Sequence, residues 1–170
     1  MSRLLHHFYR LLICLAALSM VAAFVAVMLG ILSRQMGFNI RGLDAYAGYS
    51  IASALFLALP ETLRHGDHIR VTLVLQKVPA ALRTVLEYWG LLAGLCLTVY
   101  VAWFACRLAW LSKSFNDVSQ GADATPLWIP QLTMALGCIG FAVAFADALV
   151  ARIQGRPFFL SGSNEAARVE

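Results

Sequence analysis

Charge is what this sequence has least of. Only 13% of its 170 residues are Asp, Glu, Lys or Arg, against roughly 25% in an ordinary water-soluble domain. With 61% of the residues hydrophobic, that scarcity excludes a soluble monomer. The four histidines, His6, His7, His65 and His68, lie outside the long apolar runs, so no opposed pair exists to hold a haem inside a membrane. His65 and His68 can share a helical face, but no third histidine or cysteine lies near them in sequence, and a solvated pair is the simpler reading. Cys14, Cys96, Cys106 and Cys138 fall inside the apolar runs without a close-spaced pair. They read as small apolar residues, which argues against a disulfide-exchange enzyme. No charge falls in the middle third of any apolar run, where proton relays and self-sufficient transporters carry theirs. No catalytic residue, metal site, substrate site or cofactor is therefore expected in this chain.

What is present is four uncharged windows: Leu11–Ser33, Ala45–Pro60, Tyr88–Cys106 and Ala124–Ala146. A helix needs about 20 mostly apolar residues to cross a hydrocarbon core of about 30 Å. The windows predict an all-α integral membrane protein with four transmembrane helices, at about residues 11–33, 44–64, 88–111 and 126–150. Residues 1–156 form a single membrane domain in this reading, and residues 157–170 a mobile cytoplasmic tail. A water-soluble bundle needs a polar face every 3.6 residues, and Leu11–Ser33 offers only Ser19 and Ser33. That run also exceeds the roughly 7–15 apolar residues of a secretory signal, so a retained anchor is expected, with cleavage near Ala22 and Ala23 as the alternative.

The second window differs from the first. It holds five strongly apolar residues, Ile51, Leu55, Phe56, Leu57 and Leu59, among Ala45, Ala47, Gly48, Ser50, Ala52, Ser53, Ala54 and Ala58. Such a helix inserts poorly alone but lets neighbouring backbones approach closely. It is expected at the centre of a bundle, extended toward Arg64, with Glu61 and Arg64 reaching the headgroups and Pro60 kinking its last turn.

Basic residues set the orientation. Nine of the thirteen fall at the N-terminus, in the loop between helices 2 and 3, or at the C-terminus. The positive-inside rule then puts both termini and the middle loop in the cytoplasm. The net charge of +4 reads as a topology signal, with no nucleic-acid partner. Arg107 and Asp147 come nearest to intramembrane charges, each about a turn inside its helix end. Snorkelling is one explanation for both; for Arg107, pairing with Asp44 is another, Asp44 being also within reach of Arg41. Steps of small residues that suit helix packing occur at Ala22, Ala26 and Gly30, at Gly90 and Gly94, and at Gly140 and Ala144, continuing to Ala148.

The middle loop alternates polar and apolar residues from Arg64 to Pro79, as an interfacial segment does. Its pattern Arg64-x-Gly66-x-His68-Ile69-x-Val71, followed by Val78-Pro79, resembles the small membrane subunit (DctQ-like) of tripartite ATP-independent periplasmic (TRAP) transporters. So does the stretch Ser119-Gln120-Gly121, Thr125-Pro126-Leu127-Trp128-Ile129-Pro130-Gln131 and Met134-x-Leu136-Gly137. Asp44 with Gly48-Tyr49 looks like the start of that family's second helix, although Ala45 and Thr72 stand where the family often carries acids. The resemblance spans about Arg10 to Arg152.

It implies a non-catalytic small permease subunit, in the bacterial inner membrane, of a sodium-driven transporter for organic acids. A large subunit of about twelve helices would carry the substrate, and a periplasmic solute-binding protein would deliver it. This chain would scaffold the large subunit, with membrane lipid as its other neighbour. Asp44, Arg64, Gly66, His68, Pro79, Pro126, Trp128, Pro130 and Gln131 are the candidate interface or structural residues. The alternatives are a small self-associating transporter, the membrane anchor of a redox complex, or a membrane-assembly factor.

Overall fold

The computed structural model describes residues 3–38, 40–65, 80–121 and 124–155. It contains four long helices: α1 (Arg3–Gln35), α2 (Leu43–His65), α3 (Ala80–Ser114) and α4 (Trp128–Ile153). Each is long and apolar enough to cross a membrane. The chain is an all-α membrane protein, and no strand occurs among the described residues beyond one isolated bridge, Val118 with Pro126.

Helices α1 and α3 extend beyond their uncharged windows, to 33 and 35 residues. At 1.5 Å per residue each reaches roughly 50 Å, so their ends stand in the headgroup region, where charged residues cost little. Two of the stops are local. Gly37 has φ +76°, and the amides of Gly37 and Phe38 bond back to the carbonyls of Arg34 and Ser33, which closes α1 with a left-handed cap. Asn116, at φ 53°, does the same for α3 with the amides of Asn116 and Asp117 on Lys113 and Ser112. Asparagine is among the few side chains that tolerate that backbone conformation.

The helices form a row rather than a closed bundle. Helix α2 packs on α1 and on α4, α4 packs on α3, and α1 touches α4 only lightly. The least apolar helix, α2, thus has a neighbour on each side, as its small residues suggest. The seams repeat at alternating steps of three and four residues: Tyr9, Leu12, Ala16, Ala23, Ala26 and Ser33 on α1, and Thr98, Ala102, Ala105, Ala109 and Ser112 on α3 are all buried. That is the period of side-by-side helices inclined by about 20°.

Eleven of the sixteen buried apolar side chains among the described residues are alanine, whereas Leu, Val, Phe and Trp face outward in quantity. Lipid tails are as apolar as a protein interior, so burying large side chains gains little here and close backbone approach gains more. At Gly137 α4 runs directly against the α2 backbone: a Cβ there would overlap the backbone carbonyl of Phe56. At Gly140 a Cβ would meet Leu12 Cδ1 at 2.7 Å and Pro60 Cγ at 2.9 Å. Helix α2 continues through Pro60, which is fully buried.

The small-residue steps read from sequence are partly out of phase with these seams. Ala26 lies on the α1 seam, Gly30 is half-buried with open space where a Cβ would stand, and Ala22 is exposed, with Ala23 taking its place. Gly90 has open space around it, while a Cβ at Gly94 would run into the Phe145 ring. Gly140 and Ala144 are both buried.

Candidate functional site

Polar side chains inside the row gather at two places, one near each end. The first is built where α1 begins and α2 ends. Tyr9 is completely buried, and the Arg64 guanidinium stacks on its ring, 4.6 Å from the centroid. Arg64 Nη1 donates to Glu61 Oε2 at 2.9 Å, with only 5% of the arginine side chain exposed. The three-residue spacing of Glu61 and Arg64 puts them on one face of α2, and that face meets α1. Helix α4 adds Asp147, whose charge also bears on Tyr9. Tyr9 Oη and Asp147 Oδ2 are buried without a hydrogen-bond partner among the described residues.

Arg64 therefore does not reach the headgroups, as its place at a helix end suggested. The reason is local: the flat guanidinium finds an aromatic face and a carboxylate within the row, and its aliphatic stem stays dry. Asp147 likewise turns inward. On the far side of α4, Arg152 Nη2 pairs with Glu87 Oε2 of α3 at 2.6 Å and approaches the Tyr88 ring at 5.8 Å, so at this end an ion pair ties α3 to α4 as the Arg64–Tyr9 stack ties α2 to α1.

The second polar region lies toward the other end, where α1 and α4 part over α2. A groove of about 320 Å³ opens there, lined by Leu18, Ser19, Tyr46, Tyr49, Ser50, Ile129 and neighbouring side chains. Ser53 Oγ and Thr133 Oγ1 share a hydrogen bond of 2.6 Å across the α2–α4 seam. Each hydroxyl also lies within hydrogen-bond distance of a carbonyl of its own helix, Tyr49 and Pro130 respectively, so the two protons have three acceptor contacts to share and neither is left unsatisfied in the apolar layer. Thr125 Oγ1 donates to Tyr46 Oη at 3.2 Å and fastens the α3–α4 loop over the groove. The loop itself is closed by Ser119 N on the Thr125 carbonyl and Leu127 N on the Asp117 carbonyl.

The remaining candidates divide between these regions. Asp44 pairs with Arg34 Nη2 at 2.9 Å, not with Arg107 or Arg41, because Gly37 and Gly42 (φ +76° and +85°) fold the short α1–α2 loop back on itself. Pro126 faces Val118 in the loop bridge. Trp128 opens α4 and lies beneath Lys113 Nζ, 5.5 Å from the ring centre. Pro130 falls in the first turn of α4, where the amide it lacks would have no helical partner, and Gln131 Oε1 is buried without a partner. Gly66, His68 and Pro79, with the interfacial segment they define, lie outside the described residues, as do residues 157–170.

Tyr9, Ser53 and Thr133 were not singled out from sequence. The available signal was weak: Tyr9 follows Phe8 just before the first uncharged window, where aromatic rings commonly mark the membrane interface, and single hydroxyls in a membrane helix are common. Nothing in either region resembles a nucleophile with a base, and no three His, Cys, Asp or Glu side chains converge among the described residues. Both regions join helices.

The family model described as tripartite ATP-independent periplasmic transporters, DctQ component, matches residues 23–155. No curated protein and no solved structure matches. The chain belongs to the DctQ component family of these transporters, a transporter component and a multi-pass membrane protein.

Proposed function

From that membership we propose that the chain is the non-catalytic small permease subunit of a sodium-driven transporter that takes up an organic acid across the bacterial inner membrane. Its partners in this reading are a large membrane subunit, which holds the substrate and ion sites, and a periplasmic solute-binding protein. The observation that carries the proposal is the match over residues 23–155. The architecture supports a scaffold role: intramembrane substrate sites are built from broken helices and convergent polar groups, whereas here Arg64, Arg152, Glu87, Ser53 and Thr133 hold one helix to the next. A row of helices also leaves its outer surface apolar and uncovered, enough for a partner and for lipid.

Both termini lie in the cytoplasm in this reading, which puts the Arg64 cluster at the cytoplasmic side and the groove toward the periplasm. The excess of basic residues at the first side supports it. Gly66, His68 and Pro79 belong to the cytoplasmic segment that anchors the row in the interface.

Deletion of this chain with the large subunit left in place is the test. Uptake should fall to background while the large subunit still inserts, and restoring the chain in trans should recover it. Undiminished uptake without the chain would overturn the proposal.

A further inference from the structure

Helix α3 stands at one edge of the row and has α4 as its substantial neighbour. At 100° per residue, Trp89, Cys96, Tyr100, Trp103 and Arg107 fall on the side opposite its buried seam, with Trp110 beside them. Trp89, Trp103 and Trp110 are about 70% exposed and Tyr100 61%. Trp89 and Trp110 are 21 residues apart, roughly 31 Å along the helix, which matches the hydrocarbon thickness and puts each at an interface. Arg107 is then about one turn inside the apolar layer, and Trp103 two.

The Arg107 side chain has no ion pair, hydrogen bond or aromatic stack among the described residues; Arg34, Arg64 and Arg152 are each paired, and Arg10, which has no such partner either, stands at the very start of its uncharged run with its side chain directed toward the nearer surface. Nor is it well set to escape to the headgroups. Side chains leave a helix tilted toward its N-terminus, and for α3 that direction leads from Arg107 into the apolar layer, away from the nearer surface at Ser114. The opposite edge of the row is the control. The outward side of α1 carries Val21, Val25, Met28 and Leu32, ordinary lipid-facing residues, and no charge between Arg10 and Arg34.

We infer that the α3 face through Trp103, Arg107 and Trp110 is the surface on which the large membrane subunit seats, and that this partner presents a carboxylate to Arg107. The inference rests on the small-subunit reading above. An intramembrane cation without an anion among the described residues calls for one from outside, and exposed tryptophan, tyrosine and arginine together have the composition of an interface centre.

The test uses the full chain co-expressed with the large membrane subunit of the same transporter. Benzoylphenylalanine placed at Trp103, and separately at Val25, is photo-activated in intact membranes, and the adducts are read by mass. The Trp103 position should give an adduct with the large subunit and the Val25 position none. Arg107→Glu should lower the large subunit recovered with the tagged chain at least tenfold at equal insertion, while Arg107→Lys stays within about threefold of the parent. Crosslinking at Trp103 to lipid alone, crosslinking to the large subunit from Val25 but not Trp103, or unchanged recovery with Arg107→Glu would each overturn the assignment. Should Arg107→Glu fail to insert, the crosslinks decide. If the parent chain recovers no large subunit at all, the small-subunit reading itself falls, before any variant is compared.

Discussion

The two ends of the helical row each use an arginine–carboxylate pair, in opposite settings. At one, Arg64 and Glu61 are 5% and 20% exposed and lie against the buried Tyr9 ring. At the other, Arg34 and Asp44 meet at the same 2.9 Å but are 69% and 86% exposed. Distance alone would rate them equal. The surroundings do not, because water and salt screen the second pair while the first has traded its hydration for its partner. The closed end is where helices are locked together, and the open end is where a groove is left.

Removing Arg64 should break this contrast most severely. Arg64→Ala leaves Glu61 without its buried cation and Tyr9 without its stacked neighbour, and should cost about 3 kcal/mol, read as an earlier unfolding midpoint when detergent-solubilised protein is titrated with SDS. A midpoint within error of the parent would mean that the cluster contributes no stability.

The next effect is expected where the closed end gives way to the groove. Gly137→Leu puts a side chain against the Phe56 carbonyl and should force α2 from α4 at a cost of about 1–3 kcal/mol. Cysteines placed at Ser53 and Thr133, in a background lacking the four native ones, should then crosslink more slowly than without the leucine. An unchanged rate would show that the seam yields without opening.

The smallest effect sharpens the comparison from the other side. Asp44→Asn removes only an exposed pair and should change stability by about 0.5 kcal/mol or less in the same titration. A loss as large as that of Arg64→Ala would mean that the open end is covered by something that excludes water.

Much of the architecture is legible in the residues. The four helices follow from the uncharged windows, since a charge in hydrocarbon is costly and its absence over 16 to 23 residues marks a span. The flanked position of α2 follows from its alanines, serines and glycine. The faces are harder to read. In water, a helix declares its inner side by alternating polar and apolar residues; in lipid both sides are apolar, and the choice between Ala22 and Ala23, or Gly90 and Gly94, turns on a rotation that composition leaves undetermined. Arg64 eluded the reading for a related reason. Its place at the end of a span is compatible with headgroups or with an inward turn, and the deciding neighbour, Tyr9, is 55 positions away in sequence.

The amino-acid sequence by itself determined that this protein lives in a membrane, how many times it can cross, and that its second helix packs between others, because those properties depend on the sum of transfer energies along a segment. Only the tertiary structure decided that the helices stand in a row, that Arg64 and Asp147 turn inward while Arg107 does not, and that α4 meets the α2 backbone at Gly137. Those depend on which residues from distant segments meet, and a chain whose outside is as apolar as its inside carries no local mark of that choice.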